Sequence, residues 1–253
     1  MIQLKNAQEL AKMRRACQIS AEALKLGGRS IEAGMTTADL DKIIYDYLKR
    51  HGARPNFKGL YGVPGTACIS INDEVIHGLP SHSRQIRPGD IVSIDTGAAI
   101  NGFNGDNACT FPCGKVDIEA QRLMDVTKES LHRGIAAAVA GNRVGDIGHA
   151  VQSYVEENGF SVVRSFVGHG VGKELHEDPE VPNYGHAGHG VRLVNGMTIA
   201  IEPMVNQKHH SVKTLSDGWT VVTADGGLAA HFEHSIAILP GGPEILTIGW
   251  EEP

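Results

Sequence analysis

Apolar residues recur along this chain with two periods, and blocks of each alternate. From about residue 7 to 27, and again from about 118 to 140, they return with the helical spacing that gives one buried face. A shorter helical pattern follows each. Leu40, Ile43, Ile44, Tyr47 and Leu48 keep the i, i+3, i+4, i+7, i+8 rhythm, and Gly52 marks the end. An offset of 107 residues carries this face onto Ile147, Ala150, Val151, Tyr154 and Val155, with Gly159 as the stop. It also pairs Ala33-Gly34 with Ala140-Gly141, Asp39 with Asp146, and Glu22 and Leu24 with Glu129 and Leu131.

The offset persists into strand patterns. Gly89-Asp90-Ile91-Val92-Ser93-Ile94-Asp95 aligns with Gly196-Met197-Thr198-Ile199-Ala200-Ile201-Glu202, two strands that each end in a carboxylate. Asp95 and Glu202 are therefore repeat-equivalent. The pattern predicts a pseudo-twofold α/β (α+β) fold, with helices outside and a curved, mostly antiparallel sheet inside. We expect one catalytic domain, 1–253, built of halves at about 1–112 and 113–253, with the carboxylates converging where the halves meet.

Asn101-Gly102 is a hairpin signal, because both central positions of a type I′ turn need positive φ. If Ile100 pairs with Phe103, Asp95 sits opposite Ala108 and Asp106 opposite Gly97. Period-two parity then puts Asp95 and Asp106 on one face as diagonal neighbours, about 7–8 Å apart. Two anions on a buried face must shift their pKa values or hold cations. Glu202 ends its strand, Glu233 falls mid-strand in Ala230–Ile236, and His169 lies in the glycine-rich loop Gly168-His169-Gly170-Val171-Gly172. Four carboxylates and one imidazole suit a pair of divalent ions, manganese, iron, cobalt or zinc, with carboxylates bridging. His77 and His176 have the chemistry to polarise a carbonyl or donate a proton. His186, His189, His209 and His210 lack supporting carboxylates and read as loop residues.

Composition narrows the class. With 41% hydrophobic and 21% charged residues the chain is globular, and a net charge of -6 gives no basic field for a nucleic-acid backbone, so no DNA partner is expected. There is no apolar signal core and no membrane-length apolar run, so the expected location is the cytoplasm, away from membranes. Cys17, Cys68, Cys109 and Cys113 read as reduced, packed thiols; Cys109-x-x-x-Cys113 has no second pair to make a zinc site. No phosphate loop, nucleotide fingerprint or Gly-x-Ser-x-Gly elbow occurs, which leaves metal-assisted hydrolysis.

Across nearly its whole length the chain resembles the methionine aminopeptidases, in the short bacterial type I form of the M24 metallopeptidases. The resemblance is carried by Phe57-Lys58-Gly59, Ser70-Ile71-Asn72-Asp73-Glu74-Val75-Ile76-His77-Gly78, Ser93-Ile94-Asp95 with Gly105-Asp106, Gly168-His169-Gly170-Val171-Gly172, Leu175-His176-Glu177-Asp178-Pro179, Ala200-Ile201-Glu202-Pro203-Met204 and His231-Phe232-Glu233-His234. It implies the "pita-bread" fold and removal of the N-terminal methionine of nascent polypeptides by a hydroxide that two cations activate. It implies Asp95, Asp106, His169, Glu202 and Glu233 as metal ligands, with Asp106 and Glu233 bridging. His77 and His176 would contact the substrate near the scissile peptide, and Glu202 would accept a proton. A monomer, with the ribosome as a partner, is the accompanying expectation. Where many relatives carry aromatic residues in the methionine pocket, this chain has Leu60 and Val63; Cys68, Leu175 and Trp219 are the other expected walls.

Two alternatives are an Xaa-Pro aminopeptidase or prolidase-like enzyme of the same fold and a non-catalytic binding module. The first favours a histidine four residues before His169, where this chain has Ser165, and usually carries an added N-terminal domain, which is not expected here. The second generally loses ligands, and all five are present.

Overall fold

A computed structural model describes residues 1–250. Helices α1 (Ala7–Arg29) and α2 (Thr37–Arg50) open the chain. Short strands β1 (Arg54–Pro55), β2 (Ala67–Ile71) and β3 (Glu74–Ile76) lead into the long hairpin β4 (Ile91–Ile100) and β5 (Phe103–Pro112). A second helix pair, α3 (Ile118–Ala137) and α4 (Val144–Glu157), precedes β6 (Ser161–Val162), β7 (Gly168–Gly170), β8 (Glu177–Val181), β9 (Thr198–Ile201) and β10 (Met204–Asn206). Then come β11 (Val212–Thr214), β12 (Val221–Thr223), β13 (Ala229–His231), β14 (Glu233–Leu239) and β15 (Gly242–Ile245).

The main sheet runs β1-β4-β5-β14-β9-β7-β8, with β2 added on β4 and β15 on β14. Two small sheets, β13-β10-β6 and β11-β12-β3, flank it, and every described strand pair is antiparallel. Helix α1 lies across β4 and β5, and α3 packs on α4 and against β9, β13 and β14. This is the pita-bread arrangement of helices around an antiparallel sheet.

The 107-residue offset reaches into the packing. Leu40, Ile44 and Leu48 are fully buried, as are their counterparts Ile147, Val151 and Val155, while Ile43 and Tyr47 are half-buried, as are Ala150 and Tyr154. Each fully buried aliphatic side chain contributes about 1.5–3 kcal/mol, so each helix is held by its stripe. The helix starts correspond too. Asp39 accepts the Thr36 N–H at 2.9 Å, and Asp146 accepts the Arg143 N–H at 2.7 Å. Isolated bridges tie Thr36 to Gln85 and Arg143 to Arg192, again at one offset.

The β4–β5 register pairs Ile100 with Phe103, Asp95 with Ala108 and Gly97 with Asp106, as the Asn-Gly turn predicts. Asn101 and Gly102 have φ of 56° and 77°. Three local expectations are corrected. Asp95 is mid-strand rather than terminal, because β4 runs on to Ile100 to complete the hairpin. Glu233 opens β14 instead of lying mid-strand: the chain changes sheets at Phe232, whose N–H turns to the Pro203 carbonyl. His169 lies in strand β7 rather than in a loop, since Gly168 and Gly170 let the neighbouring backbones come close enough to pair.

Gly105 shows how tightly the hairpin is seated. A Cβ there would lie 2.5 Å from Cys17 Cα in α1, a backbone atom that cannot swing aside. Gly105→Ala is expected to cost about 1–3 kcal/mol. Thermal unfolding checks this, since each kcal/mol lowers Tm by roughly 2–4 °C in a chain of this size; an unchanged midpoint refutes it.

Candidate metal centre and its pocket

A cavity of about 520 Å3 gathers residues far apart in sequence. It is lined by Asp95, Asp106, His169, Glu202 and Glu233, by His77 and His176, and by Leu60, Val63, Cys68, Leu175 and Trp219. Four strands deliver the acids and imidazole: β4 carries Asp95, β5 Asp106, β14 Glu233 and β7 His169. Glu202 follows the last residue of β9, and its carbonyl is held at 3.0 Å by the Asn183 amide. Asp106 is fixed through its backbone. Its N–H donates to Ser235 Oγ at 3.2 Å, and Ser235 Oγ donates back to its carbonyl at 2.8 Å.

Donor atoms of Asp106, His169 and Glu233 lie within 4.8 Å of one another. Asp95 and Glu202 stand outside this tight group, although His169 Nε2 is 3.5 Å from Glu202 Oε1 and 3.7 Å from Asp106 Oδ2. His169 Nδ1 donates to the Gly170 carbonyl at 2.8 Å, leaving Nε2 as a lone pair facing the acids. Burial, reinforced by the His176 charge, holds its pKa at about 4, so the ring is neutral at neutral pH.

The acids are costly as they stand. Burial raises the pKa of all four: Asp106 to about 7, and Asp95, Glu202 and Glu233 well above the ordinary carboxylate range, with the neighbouring acids adding to the last three. Among the described residues no lysine or arginine forms an ion pair with them. Asp95 Oδ1, Asp106 Oδ1 and Glu233 Oε1 are buried without a hydrogen-bond partner. Clustered, orphaned oxygens beside a bare imidazole nitrogen are the donor set that divalent cations satisfy, so the site fits a metal.

The two helper histidines are placed differently. His176 is exposed at the cavity and packs edge-on against the His169 ring, centroids 4.4 Å apart. His77 follows β3 with φ of 60°, a left-handed conformation that costs a non-glycine residue roughly 1–2 kcal/mol. That strain turns its ring into the cavity, edge-on to Phe166 at 5.7 Å and Trp219 at 6.5 Å. Phe57, Cys68 and Leu175 form one buried apolar cluster, with Leu60 packed on it.

Several site residues escaped sequence reasoning. Phe57 and Phe166 supply aromatic surface from positions other than 60 and 63, and nothing in their spacing announces it. Ile76, Tyr61, Glu177, Asp178 and Glu180 also line the cavity. His231 is buried behind it, its Nε2 unpartnered and 3.9 Å from Glu202 Oε2. A signal existed for His231, which stands two residues before Glu233.

Comparison with known proteins agrees with this geometry. The profile of metallopeptidase family M24 matches residues 11–240. The methionine aminopeptidase of Clostridium perfringens is 54% identical over 98% of this chain and 99% of its own length. Methionine aminopeptidase 1 of Bacillus subtilis is 49% identical over 98% and 99%. The crystal structure of methionine aminopeptidase from Thermotoga maritima superposes with a TM-score of 0.96 at 45% identity, covering 98% of this chain and 99% of that one. The prolidase of Pyrococcus furiosus shares the fold alone, with a TM-score of 0.79 at 23% identity over 97% of this chain and 65% of its own. A buried acid cluster in want of cations, an apolar pocket beside it and full-length relatives of one kind converge: the chain belongs to metallopeptidase family M24, among its methionine aminopeptidases.

Proposed function

We propose that the chain removes the N-terminal methionine of newly made polypeptides, using two divalent ions held by Asp95, Asp106, His169, Glu202 and Glu233. Manganese, iron, cobalt and zinc all suit these donors. The observation that carries the reading is the set of orphaned carboxylate oxygens beside an apolar cluster. When bound, the ions supply Lewis acidity and lower the pKa of water.

The chain's own groups do the rest. The Phe57, Cys68 and Leu175 cluster takes up an unbranched thioether by dispersion and desolvation. A free substrate amine would lie beside the ions these carboxylates hold, which restricts cleavage to the first residue. Glu202 takes the proton from the attacking water on its carboxylate, and His176 donates its N–H to the carbonyl oxygen as negative charge develops there. His77, held between Phe166 and Trp219, orients the peptide. Residues 1–253 act as one catalytic domain, since both halves supply ligands. New polypeptides as substrate support a cytoplasmic enzyme working beside the ribosome, and we take it to act as a monomer; among the described residues no helix is long and apolar enough to cross a membrane.

Hydrolysis of Met-Ala-Ser, compared with its N-acetylated form, with and without chelator and added divalent metal, tests reaction, end-specificity and metal need together. Cleavage of the acetylated peptide, or turnover that survives chelation, overturns the reading.

Leu60→Tyr or Val63→Phe narrows the pocket and is expected to sharpen the preference for methionine over norleucine and ethionine. One methylene of misfit is worth about 1–3 kcal/mol in kcat/KM. The measurement is kcat/KM for peptides differing only at residue one. Ratios unchanged to within about twofold would remove both residues from the pocket.

A further inference from the structure

The mechanism makes no use of a nearly inaccessible ion pair at the cavity's edge, between Lys5 and the cavity-lining Glu177. Lys5 Nζ donates to Glu177 Oε2, and both side chains are nearly inaccessible, at 4% and 5% exposure. Lys5 is anchored away from the site: its N–H donates to the Gly196 carbonyl at 2.7 Å, and Nζ also reaches the Gln3 carbonyl at 3.0 Å. Glu177 is anchored within the turn that precedes it, its Oε1 accepting the Glu174 N–H at 3.2 Å. In the β7–β8 register Glu177 faces Gly170, one residue from His169, and it directly follows His176.

The pair fills the place of a side chain at Gly172, where a Cβ would lie 2.5 Å from Lys5 Cε and 2.6 Å from Glu177 Oε1. Gly172 is clamped from the other side, its carbonyl accepting the Asn104 N–H at 2.8 Å. His176 is therefore exposed at its ring but sits on a turn pinned at both ends. Stability alone does not call for ions here, because an apolar pair of equal volume generally does as well in a buried site. What an ion pair adds is fixed orientation.

We propose that Lys5 and Glu177 are positioning residues for His176, their ion pair fixing turn 172–177 so that the imidazole meets the substrate carbonyl. The proposal rests on His176 acting as the hydrogen-bond donor to the carbonyl oxygen described above. A misplacement of about 1 Å in such a group can cost as much as about a hundredfold in rate.

The test compares Lys5→Met with Lys5→Met/Glu177→Met in the metal-loaded full chain, well below the lowest unfolding midpoint. The single variant leaves a buried carboxylate unpaired and should lose both stability and turnover. The double variant should regain the parent's unfolding midpoint, yet keep kcat on Met-Ala-Ser about tenfold to a hundredfold down with KM changed by less than about threefold. Hydrogen–deuterium exchange at residues 172–177, which needs no turnover, should be faster in the double variant. A double variant with kcat within about twofold of the parent's overturns the proposal, as does a fall in kcat without faster exchange. If the parent chain releases no methionine while the double variant still exchanges faster, the functional reading fails and the positioning stands.

Discussion

Asp106→Ala and Glu233→Ala are each expected to abolish peptide cleavage, as is chelation of the parent protein. Both residues belong to the tight group with His169, and both leave one carboxylate oxygen buried without a partner in the protein. Groups one remove from a bound metal typically carry about 10–100-fold in metal affinity or activity, and a direct ligand is expected to carry more. The fold should survive, because removing either carboxylate takes a buried acid out of a cluster in which Asp106 raises the pKa values of Asp95, Glu202 and Glu233. Metal content by mass spectrometry, circular dichroism and turnover measured together decide the matter. A variant that holds two ions per chain and cleaves at the parent's rate would show that the ligand set is wrong.

His176→Ala loses about 10²–10³ in kcat, the usual cost of one oxyanion donor, with a smaller effect on KM. The ring touches His169 edge-on and otherwise faces the cavity and solvent, so removing it leaves no packing void. Metal content and unfolding midpoint should stay near the parent's. An exposed histidine with no catalytic part predicts no loss at all, so kcat alone separates the two readings. An unchanged kcat would also withdraw the role given to Lys5 and Glu177.

What could be read from the chain was whatever short-range rules decide. The Asn101-Gly102 turn settles the β4–β5 register residue by residue, and parity then brings Asp95 and Asp106 to one face. The stripe through Leu40, Ile44 and Leu48 and its copy at Ile147, Val151 and Val155 follow from helical period alone. The break at Phe232 was not legible, because Ala230–Ile236 alternates like one strand and only the competing partners β10 and β9 divide it. Phe57 and Phe166 reach the cavity from a loop and a bend whose paths depend on the whole sheet, and His231 is drawn toward Glu202 by the pairing of β13 with β10. Residue chemistry pointed to the acids and the imidazole; long-range pairing chose the cavity walls.

The clasp between Asp106 and Ser235 joins residues 129 apart. Closing a loop of that length costs about 4 kcal/mol of chain entropy before any contact across it is gained. Contacts of such sequence separation are expected to form late in folding. A chain emerging during its own synthesis holds Asp95 and Asp106 on a finished hairpin while Glu233, close to the C-terminal end, has yet to appear. Until β14 pairs with β5 and β9 the acid cluster lacks Glu233, so the cluster is complete only once the second half joins the first.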